Sequence, residues 1–129
     1  MRFEEEFFRK MNFEGSQLDK YFTAARRDVV IAGDSDIPDV KFTFSYSALI
    51  KLGIILIAKE GYKVRSVPGH HTKIIEKLGE ILKNEDVVVV GNRMRNIRNF
   101  EFYEGGISVS KKEAEEYFDF VKKLLDRSD

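Results

Sequence analysis

The chain has no cysteine among its 129 residues, which excludes disulfides and Cys-ligated zinc and leaves the redox compartment open. It carries no excess charge, because 22 Lys and Arg balance 22 Asp and Glu; attraction for nucleic acid must then come from a local patch. No stretch approaches the roughly eighteen consecutive apolar residues of a membrane span. The nearest, residues 48–58, contains Lys51. The opening MRFEEEFFRK is acidic and lacks the apolar run of a signal peptide. Also missing are a Gly-x4-Gly-Lys-Ser/Thr phosphate loop, a basic segment interleaved with aromatics, internal repeats and low-complexity tracts. These absences lead to the expectation of one cytoplasmic domain over residues 1–129, away from membranes and without a cofactor or metal. At 43% hydrophobic it is large enough for one real core.

What is present is helical periodicity. Phe3, Phe7 and Met11 share one helical face, so residues 1–14 read as a short helical arm stopped by Gly15. Ser16 to Asp19 fits a helix start, and Leu18, Tyr21, Phe22, Ala25, Val29 and Ala32 then repeat at helical spacing. Gly33 to Asp36 ends that helix, Ser35 or Asp36 can cap the next, and Pro38 suits its first turn. Residues 42–48 alternate as a half-buried strand would, whereas Leu49, Leu52, Ile55 and Leu56 continue as a helix apolar nearly all round. One long helix of about twenty residues, ended by Gly61, reconciles the two. Tyr62 to Gly69 reads as a loop, and Thr72 as the cap of a helix carrying Ile74, Ile75, Leu78, Ile81 and Leu82. Residues 105–109 read as a further loop. Ser110 to Glu113 is a capping box ahead of an amphipathic stripe, Ala114, Tyr117, Phe118, Val121, Leu124 and Leu125.

The chemistry concentrates in residues 84–105, NEDVVVVGNRMRNIRNFEFYEG. As a helix at roughly 100° per residue, this stretch puts Val87, Val90, Met94 and Ile97 toward a core and Arg95, Arg98, Asn99 and Tyr103 on an adjoining polar sector. Arg93 adds a further cation nearby. Two guanidinium groups beside an amide and a phenol could hold a phosphate. The alternative is a short buried strand at Val87 to Val90, turning at Gly91-Asn92. Taken together the elements favour an all-α, up-and-down bundle of four to five helices, with a mixed α/β fold as the alternative.

An aromatic- and Ala-rich second helix (FTFSYSALIKLGIILIAKEG), a His-bearing entry to the third (GHHTKIIEKL), and RMRNIRNFEFYEG before the last helix resemble the HEPN superfamily, over about residues 16–125. The resemblance implies a HEPN-like bundle and a homodimer with the motif at its two-fold interface. Many members are metal-independent endoribonucleases, often toxins paired with a small nucleotidyltransferase. The implied partners are therefore RNA or a nucleotide, and such a protein. The family motif is an Arg, usually followed by a polar residue, with a His about four to six positions later. Here Arg98-Asn99 matches its first half, Tyr103 stands in place of the His, and no histidine follows His71. On this reading Arg98 stabilises the transition state, Asn99 positions the phosphate, and Tyr103 replaces the His. Metal-free RNA cleavage needs a group titrating near neutrality to take the 2′-hydroxyl proton. A tyrosine near pKa 10 is about three units too basic, so donation of a hydrogen bond to phosphate is its easier role. A non-catalytic relative that binds a nucleotide or docks a nucleotidyltransferase is the second expectation.

Each feature also has a plainer reading. Arg95, Arg98 and Asn99 can pair with Glu101 or Glu104, and arginine stems often only cover apolar surface. Tyr103 can be a half-buried tyrosine with a bonded hydroxyl. His70-His71 reads first as a loop and cap feature, since two ligands without a third and without helical His-x3-His spacing make no zinc site. Alternatively, one of the two folds back toward the arginines and supplies the missing base.

Overall fold

The protein, described here from a computed structural model, is defined in backbone over residues 1–104 and 109–128, and in side chains over 1–100 and 109–128. Its described elements are β1 (Phe8–Lys10), α1 (Gly15–Asp34), α2 (Pro38–Lys59), β2 (Tyr62–Val64), α3 (His70–Leu82), α4 (Glu85–Glu104) and α5 (Lys111–Ser128). It is a helical bundle with one small two-stranded sheet.

The bundle is built around α2. Pro38 occupies its first turn, where a missing N–H is no loss, and Asp39 complements the positive end of the helix dipole. The strand-like alternation of residues 42–48 is overruled because α2 is surrounded: α1, α3 and α5 all pack on it and α4 touches it. Phe42, Tyr46, Leu49, Leu52, Ile55 and Ile57 are all buried. Two of its polar residues, Lys41 and Ser45, are buried as well, with Ser45 Oγ donating to the Lys41 carbonyl at 2.7 Å. By length and composition α2 could cross a membrane, yet 67% of its apolar window is buried inside the fold. A central bundle helix passes the same test.

The valine run lies in α4 and not in a sheet. Val87 and Met94 are fully buried, and Val90 and Ile97 pack against the core, as the helical register requires. β-Branched residues are only mediocre helix formers, so contact with α3 decides the outcome. Two glycines set how closely α3 is approached. A Cβ on Gly91 of α4 would stand 2.7 Å from Ile75 Cγ2, and one on Gly53 of α2 would stand 2.3 Å from Ile74 Cγ2. Both faces of α3 are therefore met at short range.

Two expectations are corrected. The N-terminal segment is not a helical arm: one turn closes on the Glu4 carbonyl, and the chain then extends as β1. The segment read as a loop at 62–69 begins with β2, which pairs antiparallel with β1, Phe8 opposite Val64 and Lys10 opposite Tyr62. The partners lie more than fifty positions apart, so no local period reveals the pairing. Phe3 stacks on Tyr62 with ring centroids 4.1 Å apart, and Phe8 is buried beneath it. Lys73 bonds Glu4 at 2.9 Å, while the buried Lys77 donates to the Arg2 carbonyl and lies over the rings of Phe3 and Phe8. The arm is thereby clamped onto α3.

Cap positions shift by small steps. α1 is capped by Glu14 in a reciprocal box with Gln17, and α3 starts at His70 behind Gly69. The Ser110–Glu113 box forms as expected, Glu113 N–H to Ser110 Oγ at 3.1 Å and Ser110 N–H to Glu113 Oε1 at 3.2 Å. Residues 105–108, read as a loop, lie outside the described residues.

Candidate functional site

A cleft of about 490 Å³ opens where the C-terminal half of α4 passes the N-terminus of α3, lined by Ser66 to Thr72 together with Arg95, Arg98 and Asn99. Each side is positioned by the packing above. On α4, Val87, Val90, Met94 and Ile97 fix the rotation of the helix, and this turns Arg95, Arg98 and Asn99 toward α3. On the other side the connector from β2 is tied down: Arg65 N–H donates to the Phe7 carbonyl at 2.6 Å and Arg65 Nε to the Glu5 carbonyl at 2.8 Å. Gly69 follows with φ of 81°, a left-handed conformation that admits glycine without strain. As the cap of α3 it places no side chain over the first turn. Helix geometry leaves the N–H groups of His71 and Thr72 without an intrahelical acceptor, so this end of α3 is electropositive.

The two histidines are held differently. His70 Nδ1 lies 2.9 Å from the Val67 carbonyl. A carbonyl can only accept, so Nδ1 carries the proton and the neutral ring offers Nε2 as an acceptor. His71 Nδ1 lies 2.9 Å from the hydroxyl of Tyr46, a buried residue of α2. Arg98 completes the group, its guanidinium carbon 5.6 Å from the centroid of the Tyr46 ring.

Burial, then His70, Arg98 and Arg95 in turn, push the His71 pKa down to about 4. Burial raises Tyr46 to about 12, against the opposing pull of Arg98 and Arg95. Both groups are therefore neutral at pH 7, and the positive charge of the cleft belongs to the arginines. Neither arginine forms an ion pair with a carboxylate among the described residues, and Arg95 Nε is buried without a hydrogen-bond partner there. Buried donors normally find an acceptor. The carboxylates weighed as partners, Glu101 and Glu104, have side chains outside the described residues.

The structure brings together Arg95, Arg98 and Asn99 from the expected set and adds His70, His71, Ser66 and Thr72. Arg93, two positions and about 200° from Arg95 around the helix, lies on another side of α4, near enough to Tyr117 of α5 for its charge to act on that hydroxyl. The Tyr103 side chain lies outside the described residues. Tyr46 was missed because it falls in the apolar register of the core helix; the available signal was its hydroxyl, which a buried tyrosine must satisfy. Among the described residues no three His, Asp or Glu side chains gather as a metal site. Chemically, the arrangement offers two guanidiniums, an amide, a hydroxyl pair and helix N–H groups around one concavity, all suited to phosphate oxygens. Compared with known proteins, the chain matches no family model, no curated protein and no solved structure.

Proposed function

We propose that the protein is a HEPN-like module that binds the phosphate of an RNA or nucleotide in the cleft between α3 and α4. The observation that carries the reading is the convergence of Arg95, Arg98 and Asn99 on the N-terminal turn of α3, in a cleft where the described residues supply no countercharge. The Arg98-Asn99 pair that carries the family resemblance lines this cleft, which supports the HEPN-like reading of the bundle. The homodimer and the nucleotidyltransferase partner belong to the same proposal through that resemblance, and the cytoplasmic location through the expectation from the sequence.

The test is binding of labelled single-stranded RNA over a salt series, comparing the parent protein with Arg95→Ala and Arg98→Ala. Weaker binding by both variants, with unchanged melting, is the expected result; parent-like binding by both removes the proposal.

A second reading, metal-independent RNA cleavage, is favoured by one observation. The neutral imidazole that the Arg-Asn motif lacks in sequence stands in the cleft as His71. In the free protein its pKa is too low for an efficient base at pH 7. The monoanionic phosphodiester of a bound strand, by offsetting Arg95 and Arg98, raises it only in part, because burial is the largest cause of the shift. RNA cleavage in the presence of EDTA, lost in both His71→Ala and Arg98→Ala, is the result this reading requires. An uncut substrate leaves binding as the function.

A further inference from the structure

A second cavity, of about 260 Å³, adjoins the phosphate cleft and shares Ser66, His70 and His71 with it as a common wall. Its character differs. Phe13, Tyr21 and Tyr62 supply aromatic rings, while Ile50, Ile54 and Ile74 supply aliphatic lining. These six residues come from the segment before α1, from α1, from α2, from β2 and from α3, so the cavity exists only because the arm and the sheet close over the helices. Tyr21 is 38% exposed and meets Phe13 edge-on with centroids 6.1 Å apart; Tyr62 is held by its stack on Phe3.

From this pairing we infer that the ligand is a nucleoside monophosphate unit, its phosphate in the Arg95/Arg98 cleft and its base in the Phe13/Tyr21/Tyr62 cavity. The inference rests on the proposed phosphate site and deepens it. Because Ser66, His70 and His71 line both cavities, the two are adjacent, and the sugar is assigned to this shared edge. An apolar cavity with aromatic rings takes a flat group, since bases stack on such side chains. A volume of about 260 Å³ lies just below the roughly 300–1,000 Å³ of whole small-ligand sites, so it suits one ring system and excludes a peptide helix. The common wall also carries polar groups for the edge of a base: the Ser66 hydroxyl and His70 Nε2, left as an acceptor by the bond of Nδ1 to Val67.

Calorimetric titration separates the two sites. The probes are inorganic phosphate, ribose 5-phosphate, the four ribonucleoside monophosphates, a short single-stranded RNA and phosphotyrosine, against the parent protein, Tyr21→Ala, Tyr21→Phe and Arg98→Ala. At least one nucleotide is expected to bind roughly ten-fold or more tighter than ribose 5-phosphate, the scale of one base stacked on an aromatic ring. Tyr21→Ala should remove that advantage and leave ribose 5-phosphate binding alone, and Tyr21→Phe should retain it. Arg98→Ala should weaken every phosphate-bearing probe. A nucleotide that binds as tightly as the RNA identifies a free nucleotide as the ligand; much tighter RNA binding, still sensitive to Tyr21→Ala, identifies a residue within a strand. Equal binding of ribose 5-phosphate and nucleotides, a silent Tyr21→Ala, or phosphotyrosine binding above every nucleotide overturns the base site and spares the phosphate site. No binding by any probe overturns both.

Discussion

The hydroxyl of Tyr46, in the middle of the core helix, lies 2.9 Å from Nδ1 of His71, in the first turn of α3. This contact ties the interior of the bundle to the candidate site. It orients the imidazole from behind and keeps it half-buried beside two arginines, and that setting depresses its affinity for protons.

The first prediction concerns that titration. In the free protein, the His71 ring signals in an NMR titration should move with a midpoint near 4, against an ordinary histidine value near 6.5. Because the folded-state value is the lower one, the unfolded chain binds more protons between about pH 4 and 6.5, and His71 makes stability fall as pH drops through that window. Arg98→Ala should raise the midpoint only in part, since burial is the largest cause. A midpoint near 6.5 in the parent protein would contradict the burial of this ring.

The arginines make a different prediction. Each phosphate contact on a single strand contributes roughly −0.7 to the slope of log affinity against log salt, so Arg95→Ala and Arg98→Ala should each flatten the slope by about that amount. Arg93→Ala, which acts on the side of α4 facing Tyr117, should leave it unchanged. The check is RNA binding from low to high salt, with melting measured in parallel.

Gly53 tests the close packing that sets the site. A methyl group there meets Ile74 Cγ2 at 2.3 Å and the Ile74 carbonyl oxygen at 3.4 Å. Gly53→Ala should therefore cost about 1–3 kcal/mol in denaturant unfolding, as overpacked cores do, although alanine is the better helix former. A neutral or stabilising effect would show that α2 and α3 can separate freely.

The clamp of the arm on α3 makes the last prediction. Phe8 is 1% exposed and packs edge-on against Phe3, so Phe8→Ala should cost about 3–5 kcal/mol. Because β1 pairs with β2 just before the Arg65–Gly69 connector, this variant should also speed amide exchange at residues 65–69. Unaltered exchange there would separate the arm from the site.

Much of this was legible in the chain. Helices whose apolar residues repeat at 3.6 were readable because their burial pattern is a local property: the stripe of α5, the capping box at Ser110 and Glu113, and the face of α4 carrying Val87, Met94 and Ile97. Of the candidate site, Arg95, Arg98 and Asn99 were visible as neighbours on one helix sector. The strand period of residues 42–48 misled in isolation because it reports alternation and not surroundings. With α1, α3 and α5 all packed on it, α2 buries Ser45 and Lys41 as well as the aromatics, which a half-buried strand would expose.

The sequence by itself determined the helices and put two guanidiniums and an amide on one sector of α4, since a turn of helix makes neighbours of residues three and four apart. Only the tertiary structure decided that the arm is a strand, that Arg93 faces α5, and that His71 and Tyr46 stand beside Arg98. Those outcomes join residues 25 to 56 positions apart, or depend on which helix lies opposite. Contacts of that reach leave no period in the chain, because they are chosen by the shapes of surfaces that exist only after the helices have packed.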